Sequence, residues 1–280
     1  YRIAQVYYTN DLLPFREQSN DVKELRSLCR QWDGFNVLHT ETQLRFTSIL
    51  ALVFPKYDIV FDHLCNPTSL RVIASFPSPE AILSAKREDL FNLIKLCRHS
   101  DEWCSRKVDM LIAAARESLS YDGAQQSNIR VLQSYVKSLL THNEILADIR
   151  AQINEWTKLS PDFQLLMSIP GIGEITAATI LGEIGDISNF DTAKQLVAYA
   201  GLDPSVYQSG SFRAKNTKIS KRGTPVRRRP NGPCNLVLYE YYTSKVNSGK
   251  PPKVALIATC SKLLRIIFAM LSNKTVFRAE

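Results

Sequence analysis

Between Ser127 and Lys158, Leu132, Leu139, Leu146 and Ile153 recur every seven residues, accompanied by Ile129, Val136, Ile149 and Trp156. This spacing lays an apolar stripe along one face of a long helix. A strand cannot use it, because its side chains alternate with a period of two. Asn143 sits on the same stripe, where a polar residue fixes register at some cost in stability. The stripe suits a coiled coil with a second copy of the chain, and equally a helix packed on its own domain. The expected partner for 127–158 is therefore either a homo-oligomer or the rest of the chain.

The remaining sequence is also helical in pattern. VKELRSLCRQW, REDLFNLIKLC and KVDMLIAAARESL carry apolar residues at three- and four-residue spacing, and alternating runs bounded by hairpin turns are scarce. The predicted class is mainly α. Ser160-Pro161-Asp162 interrupts the long helix, and SGKPP at 248–252 precedes a final amphipathic helix, VALIATCSKLLRIIFAML. These breaks divide the chain into a helical region (1–120), a coiled-coil-like helix (121–160) and a C-terminal domain (161–280). Val254 to Leu271 is long and apolar, but Lys262 and Arg265 interrupt it, so no membrane span is expected. The six cysteines contain no CxxC pair, which points to reduced thiols and a cytoplasmic location. No metal ligands are assigned to His63, Cys65, Cys97 or His99, two short pairs far apart in sequence.

Two stretches carry chemistry. In LLMSIPGIGEITAATILGEIG, residues 165–185, an apolar turn runs through Gly171-Ile172-Gly173 into a helix starting at Glu174. This is a helix-hairpin-helix pattern. Glycine permits positive φ and close backbone approach, and the first N–H groups of the second helix can meet a phosphate oxygen. The same turn also serves a hairpin used only for packing. A weaker echo lies at SLRVIASFPSPEAILSAKREDL, where Ser78-Pro79-Glu80 replaces the glycine turn.

The second stretch is YQSGSFRAKNTKISKRGTPVRRR, residues 207–229, with eight Lys or Arg and no acid. The chain's formal net charge is +8, so this strap equals the whole basic excess. Arg213, Lys215, Lys218, Lys221, Arg222, Arg227 and Arg228 stand among Ser, Thr and Asn, a composition suited to nucleic-acid backbone contacts. If half of these cations met phosphates, log affinity would fall with log salt at a slope of about −4.

The order IPGIGEITAATILGEIGD, F-x3-KQLVAYAGLDP, Y-x-SG and KISKRG resembles the C-terminal domain of the Piv/IS-one-ten family. These are insertion-sequence transposases and DNA invertases, bridge-RNA-guided serine recombinases. The resemblance extends over the chain and is tightest over 165–223. It implies a transposase domain containing the helix-hairpin-helix, preceded by a coiled coil and a RuvC-like domain whose four acids bind Mg2+. It also implies DNA and a guide RNA as partners in a bacterial or archaeal cell, and Ser209 of Y-x-SG as the nucleophile. Ser211 follows the glycine and does not match the motif position.

Two departures qualify the resemblance. The family's last acidic ligand falls just before a stretch like YRIAQVYY, which here opens the chain at Tyr1. Asp11, Glu17 and Asp21 do not replace it. The expectation is a fragment lacking most of the RuvC-like domain, with no metal ligands and no strand cleavage of its own. VRRRPNGPCNL also places Pro230, Gly232 and Pro233 inside the family's next helix, which should stop near Arg229. A non-catalytic DNA-binding helical protein and a dimerisation remnant are the alternatives.

Overall fold

The structure is a computed structural model describing residues 18–97, 99–118, 125–158, 160–202, 208–209, 212–213 and 235–278. Those residues are mainly helical, with a single pair of two-residue strands among them. They gather into two compact units, one of residues 31–151 and one joining residues up to Arg30 with those from Gln152 onward.

The 31–151 unit takes in most of α1 (Asn20–Val53), a 3₁₀ turn (Tyr57–Ile59), α2 (Pro67–Ser75), α3 (Pro79–Ser84), α4 (Arg87–Lys95), α5 (Asp101–Glu117) and most of α6 (Gln125–Thr157). Side chains set the starts of three of these helices. Asn66, Ser78 and Ser100 each accept the N–H three residues on, and Pro67 and Pro79 follow as first helical residues. α5 is the hub, packing on α3, α4 and the 3₁₀ turn. Its buried Cys104, Val108 and Leu111 join Phe46, Leu50, Leu70, Ile73, Leu90 and Ile94 in one core. Tyr57 is buried there between Phe54 and Phe61, and its hydroxyl donates to the Ser69 carbonyl at 2.9 Å.

The heptad-patterned segment forms α6, and its stripe is occupied within the chain. Leu132, Val136 and Leu139 belong to the 31–151 core. Further along, Ile149 and Ile153 are also buried. Trp156 departs from the expected stripe and is 43% exposed, while Thr157 turns inward with its hydroxyl donating to the Ile153 carbonyl at 3.0 Å. Thr157 lies three heptads beyond Val136, as Ile153 does beyond Leu132, so the buried face keeps its seven-residue register and Trp156 stands beside it.

The other unit holds α7 (Pro161–Met167), α8 (Glu174–Ile184), a 3₁₀ turn (Ile187–Asn189), α9 (Ala193–Tyr199), β1 (Gln208–Ser209), β2 (Phe212–Arg213), α10 (Leu236–Asn247) and α11 (Pro252–Asn273). Among the described residues, α11 is the one helix long and apolar enough to cross a membrane by length and composition. It is the packing centre of this unit, touching α7, α9, α10 and the 3₁₀ turn, with Ala255, Ile267, Met270 and Leu271 buried. Pro251 and Pro252 sit at its N-terminus, where proline lacks no needed donor.

Candidate nucleic-acid interface

Ser160 caps α7 by accepting the Phe163 N–H at 3.3 Å, and Pro161 is the first helical residue. After α7 the chain reverses through Ile169-Pro170-Gly171-Ile172, closed by the Ile172 N–H on the Ile169 carbonyl at 3.0 Å. Gly171 has φ +94°, and proline before such a residue is the pattern of a type II turn. Gly173 is extended and caps α8 without a side chain. Ile169 beneath the turn and Ala177 and Ala178 on α8 are buried, so the two helices pack closely while Pro170 and Gly171 stay exposed. At the upstream echo, Ser78 Oγ accepts the Ala81 N–H at 3.2 Å. That helix start carries its own oxygen acceptor, which Gly173 does not supply to α8.

The far end of α8 is fastened to α1. Arg26 donates from Nε to the Gly182 carbonyl at 2.8 Å and from Nη2 to the Glu183 carbonyl at 3.0 Å. Its cation thus satisfies carbonyls that the helix end leaves open and complements the negative pole of the helix. Arg30 meets the Glu183 carboxylate with two bonds, at 2.8 and 3.1 Å, and the Tyr199 hydroxyl donates to the Glu183 carbonyl at 3.1 Å. Gly182 lets the helices close, since a Cβ there would lie 3.0 Å from the Arg26 Cα. Cys29 is buried beside this contact, and burial pushes its thiol up to about 11 despite a hydrogen bond with Thr179.

α9 begins at Thr192, whose side chain accepts the Gln195 N–H. It ends in a Schellman motif: Gly201, at φ +72°, donates to the Ala198 carbonyl, and Leu202 donates to that of Val197. Leu196 and Val197 are buried, whereas Tyr199 is half exposed and lies edge-on to Phe190. Beyond α9, β1 pairs with β2 in antiparallel register, Gln208 opposite Arg213 and Ser209 opposite Phe212. Ser209 is therefore the last residue of its strand, with two residues between it and the return strand. Lys215, Lys218, Lys221, Arg222, Arg227 and Arg228 lie outside the described residues, as do YRIAQVYY and the proline-interrupted stretch after VRRR. The structure thus places Gly171 and Gly173 on one turn, and Ser209 and Arg213 on one strand pair.

Residues 163–230 match the model of the transposase IS116/IS110/IS902 family. This match begins in α7 and runs through the glycine turn, α8, α9, the strand pair and the basic strap. Over 250 residues, 86% of its length, the chain is 27% identical to the insertion element IS110 uncharacterized 43.6 kDa protein of Streptomyces coelicolor. It is 36% identical over 94 residues to the transposase for insertion sequence element IS1111A of Coxiella burnetii, 34% of this chain. It is 31% identical over 170 residues to the pilin gene-inverting protein of Moraxella bovis, 55% of this chain. The matched parts span 61%, 26% and 53% of these relatives.

Among the described residues, no three His, Cys, Asp or Glu side chains converge as a metal ion would require. The clamp of Arg26, Arg30 and Glu183 escaped the sequence reading. Its partners are more than 150 positions apart in sequence, and no local pattern marks either one.

Proposed function

We propose that this chain is the DNA-handling and nucleophile-bearing part of an insertion-sequence transposase that cuts and rejoins DNA through Ser209. The observation that carries the reading is the continuity of the 163–230 match, which holds the glycine turn, Ser209 and the cations from Arg213 to Arg228. A relative that inverts a pilin gene and another that is a transposase are consistent with strand exchange. In this reading Gly171 and Gly173 bring backbone N–H groups to a phosphate, and Arg213 and the strap neutralise its neighbours. Ser209 Oγ attacks the phosphorus. A P–Oγ bond forms, the bond from phosphorus to one deoxyribose oxygen breaks, and the serine proton ends on that leaving oxygen. The phosphoserine ester conserves bond energy for rejoining, and reversal by a second strand's hydroxyl restores serine. A guide RNA and a second copy of the chain complete the proposed assembly.

The test is a covalent adduct. The protein, carried together with the RuvC-like domain that the resemblance implies, is incubated with labelled DNA and resolved under denaturing conditions. A Ser209-linked adduct, mapped by mass spectrometry and lost in Ser209→Ala with duplex binding retained, is the expected result. An undiminished adduct in that variant removes Ser209 from the reaction. Binding without any adduct favours a non-catalytic DNA-binding protein.

A further inference from the structure

The strap is not the only basic part of the chain. Residues 235–278, which form α10, its connection and α11, carry Lys245, Lys250, Lys253, Lys262, Arg265, Lys274 and Arg278 against Glu240 alone. In the rest of the described chain several cations face carboxylates: Arg26 and Arg30 meet Glu183, Arg87 meets Asp109, and Lys95 meets Asp101, while Lys107 instead meets the Val60 carbonyl and the Phe61 and Trp103 rings. In the hairpin only Lys274 does so, 2.6 Å from Asp162. Among the described residues, no carboxylate pairs with Lys245, Lys250, Lys253, Lys262 or Arg265.

Two of these cations are fixed in place. Lys245 Nζ lies 4.9 Å from the centroid of the Tyr241 ring, and Lys262 Nζ lies 4.4 Å from it. One lysine comes from the last turn of α10 and the other from α11, so the ring binds the two helices by their charges. Their separation is within a Debye length at 0.1 M salt, about 10 Å, so they repel each other in the absence of an anion. Lys250 and Lys253 extend the same charge, exposed, across the connection and the first turn of α11. Tyr241 already has ammonium groups over it and offers no free stacking platform for a base. The surface therefore suits a phosphate backbone more than an unstacked single strand.

We propose that the α10–α11 hairpin is a second contact for duplex DNA, in which Lys245, Lys250, Lys253 and Lys262 take backbone phosphates and Tyr241 holds two of them in position. The inference rests on the DNA-recombining reading above and assigns it a surface outside the 163–230 match. Contacts of this kind orient a duplex without reading its sequence.

The experiment measures binding of a short duplex DNA of arbitrary sequence by fluorescence anisotropy across a salt series. It compares wild type, the quadruple variant Lys245→Gln, Lys250→Gln, Lys253→Gln, Lys262→Gln, and a strap variant Arg213→Gln, Lys215→Gln, Lys218→Gln. Circular dichroism melts verify that each variant folds. The hairpin variant is expected to flatten the salt slope by about 0.9 per lysine removed. Combining it with the strap variant should flatten the slope additively. Tyr241→Phe keeps the ring and the affinity, whereas Tyr241→Leu, which loses the ring, weakens binding at low salt. An unchanged slope in the hairpin variant, beside a flattened one in the strap variant, overturns the inference and leaves the recombinase reading standing. A loss confined to an RNA hairpin probe overturns the assignment to duplex DNA. Failure of the wild type to bind duplex at any salt overturns both readings.

Discussion

Arg26 and Arg30 reach the same residue of α8, yet their energetics differ. The Arg26 side chain is 22% exposed and donates to two backbone carbonyls at the end of α8, that of Gly182 and that of Glu183, the second shared with the Tyr199 hydroxyl. Arg30 is 65% exposed and meets only a carboxylate that water also solvates. Arg26→Ala should cost about 2–3 kcal/mol in urea unfolding, because the buried Gly182 carbonyl loses its charged donor. Arg30→Ala should stay within about 0.5 kcal/mol of wild type, as exposed ion pairs do. A second residue-scale effect concerns His39, whose Nδ1 and that of His142 are buried without hydrogen-bond partners, with ring centroids 6.1 Å apart. Burial, and then the charge of His142, hold His39 below the ordinary histidine value of 6.5. The folded state therefore binds protons less readily than the unfolded chain. Stability is full above about pH 6.5 and falls as pH drops through the lowered value. Urea midpoints should decrease on acidification, and His39→Gln should reduce that decrease.

At the scale of elements, α6 shows what a hydrophobic repeat determines. The seven-residue spacing predicts a long helix with one apolar face, and the helix runs from Gln125 to Thr157. Whether that face meets a second chain or its own is not encoded in the spacing, since both environments accept the same leucines. The structure places Leu132, Val136 and Leu139 in the core of the 31–151 unit. Leu139→Ala should consequently cost about 2–5 kcal/mol at any protein concentration, measured by denaturant unfolding. Trp156→Ala, at an exposed position, should cost less than about 1 kcal/mol. The helix breaks were similarly legible, because Ser160-Pro161 and Pro251-Pro252 act on their own neighbours. Tyr199 was not. Its outward position follows from the Glu183 carbonyl and the Phe190 ring, neither of which its own helix supplies.

Across the whole molecule, charge and packing divide between short-range and long-range information. Composition and order alone identified a mainly α chain, the glycine turn and the cations of the strap, whereas Ser209 was singled out only by the resemblance that its Y-x-SG motif carries. Each of these depends on residues within a few positions of one another: a proline and a glycine fix a turn, and a run without acids stays basic in any fold. The tertiary structure decided which helix ends are fastened, which cations have carboxylate partners and which stay unpaired, and that Lys245 and Lys262 share one ring. Those facts join residues on different helices, in the Arg26–Glu183 case more than 150 positions apart. Local chemistry cannot specify them, because a side chain's partner across the core is set by how all the intervening helices pack.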